Sequence, residues 1–365
     1  MGFKCGIVGL PNVGKSTLFN ALTNSKVPME KYPFCTIDPH IGIVAVPDKR
    51  LDLLASIYKP EKVIPTTLQF VDIAGLVKNA SKGEGLGNQF LSHIQGVDAI
   101  IHVVRCFQDP SVSHVDSVLE PWKDYETVKT EILLKDLEVV ENRIKKISHR
   151  AKSGDAKAKK HLEILESIGS LLSQGEPAKA YHAHPEEEGF IKELGLISTK
   201  PEIIVGNVSE DEVITGEESE VTRRFKEFAF STGNLFLTLS AKLEYELSQL
   251  SDEEKKFFMK EWKISEPGIN SLIEAGYTVL GLITFYTVES NMCQAWTIKR
   301  GTTAVKAASL IHSSFEDRFI KAEVRPWDIV EKVKSEAMLR EHGHIRIEGK
   351  SYVVQDGDVI TFKLK

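Results

Sequence analysis

Over the first hundred positions, apolar residues come in short runs of strand length, separated by stretches with helical spacing. Phe3 to Val8, Thr67 to Val71 and Asp98 to Val104 read as strands, and Ser16 to Thr23 reads as a helix. Such alternation predicts βαβ units around a mostly parallel sheet. The pattern then lengthens. Val128, Ile132, Leu133, Leu137, Val140, Ile144 and Ile147 recur at helical intervals and mark one face of a long amphipathic helix. After the turn signal Ser153-Gly154-Asp155, Leu162, Leu165, Ile168 and Leu172 form a second stripe, so residues 125 to 175 are expected to make an antiparallel helical hairpin. Strand-like runs return at Glu202 to Gly206 and Leu235 to Leu239, which makes the hairpin an insertion into one discontinuous α/β domain. Past Gly281 the rhythm changes again. Strands at Thr284 to Val288 and Ala295 to Ile298, a helix at Thr303 to Ile311, and strands at Phe319 to Val324 and Val359 to Leu364 predict a small α+β module. The expected division is 1–124 with 196–280 for the α/β domain, 125–195 for the insertion and 281–365 for the C-terminal module.

The composition, 365 residues with 42% hydrophobic and 27% charged, supports a large buried core in two or three domains. A net charge of −6 gives no molecule-wide attraction for nucleic acid. Locally the picture differs, because eight Lys or Arg stand against one Asp between Arg143 and Lys160. That window reads equally as a solvated helix tip or as a nucleic-acid or ribosome contact. Residues 281 to 365 carry 13 Lys or Arg against 11 Asp or Glu, too even a balance to indicate RNA. Cys5, Cys35, Cys106 and Cys293 are scattered without CxxC spacing, which argues against disulfides or zinc and fits a reducing cytoplasm. Met1 to Cys5 lead directly into a strand without a signal-peptide core, and no apolar stretch approaches the about 18 residues of a membrane span. A monomer is expected.

Gly9-Leu10-Pro11-Asn12-Val13-Gly14-Lys15-Ser16 matches GxxxxGK[ST], between a strand and a helix as a P-loop requires. Glycines let the backbone wrap phosphates, and N–H groups of Asn12, Val13, Gly14, Lys15, Ser16 and Thr17 with the helix dipole neutralise them. Lys15 reaches the β and γ oxygens and Ser16 ligates Mg²⁺. Asp72-Ile73-Ala74-Gly75 ends the Thr67 strand and supplies the carboxylate that orders magnesium through water, with the Gly75 N–H facing the γ-phosphate. Thr36 occupies the place of a switch threonine that completes the magnesium shell. Gly83-Glu84-Gly85-Leu86-Gly87 gives the segment after DxxG the backbone freedom of a second switch.

With these motifs in place the chain resembles the YchF subfamily of Obg-like ATPases, in the translation-factor class of P-loop GTPases. The resemblance is carried by Gly9 to Thr17, by Tyr32-Pro33-Phe34-Cys35-Thr36, by Asp72 to Val77 and by Lys82-Gly83-Glu84-Gly85-Leu86-Gly87-Asn88, and it spans nearly the whole chain. It implies a P-loop G domain with an inserted helical hairpin, and a ubiquitin-like β-grasp (TGS) domain over about 281–365 that associates with RNA or ribosomes.

Ordinary GTPases end the strand after the insertion in NKxD, whose aspartate accepts from N1–H and N2–H₂ of guanine. Here the run is Asn207-Val208-Ser209-Glu210. Val in place of Lys removes the stem over the base, and Glu in place of Asp moves the carboxylate by one methylene, which spoils the guanine clamp. Adenine could instead be met by Asn207 and backbone groups near Val208, and the resemblance likewise implies ATP. Ser240-Ala241-Lys242 matches the base-supporting loop. Leu76 stands where many GTPases carry a water-orienting glutamine, so intrinsic hydrolysis is expected to be slow. The resemblance favours His114 as the replacement catalyst, beside Lys15 and Gly75, and it makes Asn12 a candidate ligand for K⁺. The alternatives are a GTP-dependent ribosome-assembly factor and a nucleotide-gated binding protein whose turnover is incidental.

Overall fold

The computed structural model describes residues 2–24, 40–73, 94–109, 119–289 and 291–365. Strand β1 (Lys4–Val8) is apolar and buried almost throughout, as a central parallel strand covered on both faces must be. Helix α1 (Lys15–Thr23) follows it, then β2 (Ile41–Ala45), α2 (Lys49–Tyr58), β3 (Lys62–Ile64), β4 (Thr67–Asp72) and β5 (Ala99–Arg105), the last buried at every position. After the insertion come β6 (Glu202–Asn207) and β7 (Leu235–Leu239). These form a six-stranded sheet in the order β2-β4-β1-β5-β6-β7. Among the described residues only the β2–β4 pairing within it is antiparallel; β1, β4, β5, β6 and β7 run parallel, as the βαβ rhythm predicts. β1 lies between β4 on one side and β5 on the other. Its carboxyl end is therefore the switch point at which open α/β sheets bind ligands.

The insertion is a pair of antiparallel helices, α3 (Pro121–Lys152) and α4 (Ala156–Ser173). α3 begins ahead of the expected position 125, because Asp124 and Tyr125 are already buried against the sheet domain. Leu133, Val140, Ile164, Leu165, Ile168 and Leu172 make the seam, joined by Phe190 from the short helix α5 (Glu188–Leu194). Ile164 is buried where the sequence stripe pointed to Leu162, which is half-exposed. Asp136, buried on α3, fastens the returning chain: it accepts from the Ile197 N–H at 2.8 Å and from the Ser198 N–H and hydroxyl at 2.7 and 2.6 Å. The remaining helices of this part of the chain are α6 (Glu210–Thr215), α7 (Glu220–Ser231), α8 (Ala241–Gln249), α9 (Asp252–Glu261) and α10 (Gly268–Val279), of which α7 and α10 pack on β6 and β7.

The C-terminal module is an α+β β-grasp unit. β8 (Leu282–Glu289) and β9 (Met292–Lys299) form a hairpin, α11 (Ala304–Ile311) packs on the sheet through Ala304, Ala307 and Ala308, and β10 (Phe319–Arg325), β11 (Arg346–Glu348) and β12 (Val359–Leu364) complete it. Its order is β11-β10-β12-β8-β9-β3. The last strand comes from the N-terminal half: Lys62, Val63 and Ile64 pair in parallel with Met292, Cys293 and Gln294. The hydrophobic pattern alone predicts no strand there. α2 belongs to the same junction, with Leu51 and Leu54 buried in one cluster with Tyr286, Cys293, Val330 and Val359. Polar groups close it. Asp48 caps α2 by accepting from the Arg50 N–H at 3.0 Å and also accepts from the Tyr286 hydroxyl, while Arg50 pairs with Asp356 at 2.8 Å. Cys5, Cys106 and Cys293 are free and buried, and burial pushes the Cys5 thiol up to about 12 and that of Cys293 to about 11. Those thiols are unreactive at neutral pH. Cys35 lies outside the described residues.

Candidate functional site

At the carboxyl end of β1 the chain makes a turn that side chains would obstruct. Gly9 and Gly14 hold positive φ values of 152° and 99°. A Cβ on Gly9 would lie 2.3 Å from the Val103 carbonyl oxygen, and one on Gly14 would lie 2.3 Å from Asn207 Nδ2. Asn12 adopts the left-handed conformation at φ 60°, one that Asn tolerates better than most residues. Left-handed positions in such a loop turn successive N–H groups toward one concavity, an anion-binding arrangement.

Helix α1 starts from Gly14 with no side-chain cap and no acidic residue in its first turn. The neighbouring helices are finished differently, with Ser240 capping α8 and Ser209 capping α6 ahead of three acidic residues. The leading N–H groups and positive dipole end of α1 are thus left for an anion. Lys15 is buried at this helix start, and its Nζ donates to the Leu10 carbonyl at 2.7 Å within the same loop. Burial pushes the Lys15 ammonium below its ordinary value, with the Asp72 carboxylate pulling the other way. An ammonium held beside a positive helix end is a strained arrangement that an incoming phosphate relieves.

Ser16 and Asp72 meet across 56 positions of sequence, the Ser16 hydroxyl donating to Asp72 Oδ2 at 3.1 Å. The other carboxylate oxygen, Oδ1, is buried and has no hydrogen-bond partner among the described residues. A buried carboxylate oxygen without a donor is costly unless something cationic or protic serves it. The donor set, one hydroxyl and one carboxylate oxygen beside a phosphate cradle, suits a hard cation such as Mg²⁺ that keeps most of its water.

Asn207 joins three loops. Its Nδ2 donates to the Val13 carbonyl at 2.8 Å, its Oδ1 accepts from the Ala241 N–H at 2.9 Å, and the side chain is 4% exposed. Asn207 therefore braces the P-loop against the start of α8, and sequence reasoning, which assigned it to the base, missed this role because both partners are backbone atoms. Val208 follows it in the chain. Its side chain turns into an apolar cluster with Tyr125, Phe225 and Phe236, and its N–H donates to the Leu239 carbonyl at 2.9 Å. The Val208 side chain and N–H are thus both engaged within the protein. Ser240 is buried as the cap of α8, and Ala241 is buried beside it. Glu210 and Lys242, at the starts of α6 and α8, pair with each other at 2.6 Å. Thr17 lies half-buried in the first turn of α1. Thr36, Gly75, Leu76, the Gly83 to Gly87 run and His114 lie outside the described residues.

Comparison with known proteins agrees with this geometry. Residues 4–142 match a family model described as 50S ribosome-binding GTPase, and residues 282–365 match the YchF-GTPase C-terminal model, described as a protein of unknown function (DUF933). The chain is 47% identical over 363 residues to the ribosome-binding ATPase YchF of Haemophilus ducreyi, covering 100% of this chain and 99% of that protein. It belongs to the YchF family. The YchF of Bacillus subtilis, also called a ribosome-binding ATPase, is 46% identical over the same coverage. The solved YchF GTPase of Schizosaccharomyces pombe superposes with a TM-score of 0.88 at 34% identity, covering 99% of this chain and 98% of that one. The YchF fold, a P-loop G domain with a C-terminal β-sheet domain, is thus shared along the whole length.

Proposed function

We propose that this protein is a Mg²⁺-dependent ATPase that works as a nucleotide-controlled switch on the ribosome. The observation that carries the reading is the uncapped start of α1, with Lys15 buried beside it and Ser16 bonded to an Asp72 whose second oxygen has no partner among the described residues. The N–H groups from Asn12 to Thr17 would hold the β-phosphate, and Lys15 would exchange the Leu10 carbonyl for a phosphate oxygen. Ser16 and Asp72, together with Thr36, would hold Mg²⁺, which when bound neutralises charge on the β and γ oxygens. The Gly75 N–H would fix the γ-phosphate, and His114 would orient the attacking water in place of the side chain that Leu76 lacks. Asn12 is the proposed ligand for K⁺ if a monovalent cation adds the remaining positive charge.

ATP is favoured over GTP because the NVSE run lacks both the lysine stem and the correctly placed aspartate of a guanine clamp. The ribosome reading rests on the names of the relatives and on the hairpin. Of its eight basic residues, Arg143, Arg150 and Lys160 pair with Glu193, Asp155 and Glu186. Lys145, Lys146, Lys152, Lys157 and Lys159 form no ion pair among the described residues and face solvent wholly or in part. Such lysines suit a phosphate backbone. The test of catalysis is phosphate release from ATP with and without Mg²⁺: magnesium-dependent release supports the reading, and release that EDTA leaves unchanged rejects it.

A further inference from the structure

Glu210 and Lys242 begin two helices whose starts are held at fixed separation. Ser209 caps the first by accepting from the Glu212 N–H, and Ser240 caps the second by accepting from the Leu243 N–H. The bond from the Ala241 N–H to Asn207 ties the second helix to the strand that leads into the first. Within that frame Lys242 Nζ sits 2.6 Å from Glu210 Oε1, with side-chain exposures of 67% and 31%. Lys242 is held above its ordinary value chiefly by its hydrogen bond to Glu210, with Glu246 and Asp109 adding attraction.

A carboxylate at this point of the chain is the group that would accept two N–H bonds from guanine. Adenine presents no such donor pair. We infer that Lys242 sets base preference by occupying the Glu210 carboxylate, so that guanine must displace an ammonium that adenine leaves in place. The inference rests on the reading that the base lies between these two loops. It also assigns the preference to a contact made by the supporting loop, beyond the altered NVSE run alone.

An exposed ion pair is a modest competitor, so the consequence is a shifted ratio of affinities and not an exchange of substrate. Lys242→Met keeps the aliphatic stem and removes the charge. Titration of the full-length protein with ATP and with GTP in Mg²⁺ should show the GTP dissociation constant falling relative to that of ATP by about three- to fivefold. Lys242→Arg, which keeps the charge, should hold the wild-type ratio, and in a Glu210→Gln background Lys242→Met should no longer move it. An unchanged ratio in Lys242→Met, or the same shift with Glu210 already neutral, overturns the inference. The wild-type ratio decides whether ATP is preferred. The change in that ratio on substitution decides the role of Lys242, whichever base wins.

Discussion

Asn207→Asp replaces one buried amide by a carboxylate of the same shape, and its cost can be bounded from both sides. The new side chain still accepts from the Ala241 N–H, but its second oxygen would face the Val13 carbonyl across the 2.8 Å now bridged by Nδ2–H. Leaving that carbonyl unpaired in a buried place costs about 1–3 kcal/mol before repulsion is counted. Protonation offers the other route, since the protonated carboxyl of the variant regains the donor. At neutral pH, holding a proton on a group whose ordinary value is about 3.9 costs roughly 4 kcal/mol, which caps the loss. Destabilisation of about 2–4 kcal/mol is therefore expected at neutral pH. The sign of its pH dependence follows. The folded variant binds a proton more tightly than its unfolded chain, so its deficit against wild type grows as pH rises above about 4 and stops growing once pH passes the folded value. Urea unfolding of both proteins between pH 5 and pH 8 measures this, and ATP affinity should fall at least about tenfold as the P-loop loses its brace. A difference below about 0.5 kcal/mol that stays flat with pH would refute the bracing role.

Asp48→Ala removes a helix cap and leaves the buried Tyr286 hydroxyl without its acceptor, so thermal or urea unfolding should show a loss of about 2–4 kcal/mol although residue 48 is far from the P-loop in sequence. Wild-type stability would mean that the junction between α2 and the C-terminal sheet is held by apolar packing alone. Reversing Lys145, Lys146, Lys152, Lys157 and Lys159 to Glu should reduce cosedimentation with ribosomes, most visibly at low salt, and unchanged pelleting would remove the hairpin tip from the interface.

How much of this could be read in advance depends on the range over which each feature is encoded. The P-loop and β1 were legible because motif, preceding strand and following helix are contiguous, and the hairpin was legible because its apolar period persists over many turns. β3 was not. Lys62–Ile64 has only three residues, none of them buried, and becomes a strand because Met292 to Gln294 supply the partner. The same reason hid the brace at Asn207 and the Glu210–Lys242 pair, whose partners are distant in sequence. The burial of Val208 against Tyr125 and Phe225 is likewise a property of the folded helix layer.

Paired calorimetric titrations of ATP and GTP into the wild-type protein, with Mg²⁺ and without it, test the proposed magnesium-dependent, adenine-selective site most directly. Tighter binding of ATP is the predicted result. Tighter binding of GTP, or equal binding of both nucleotides with and without Mg²⁺, would contradict it.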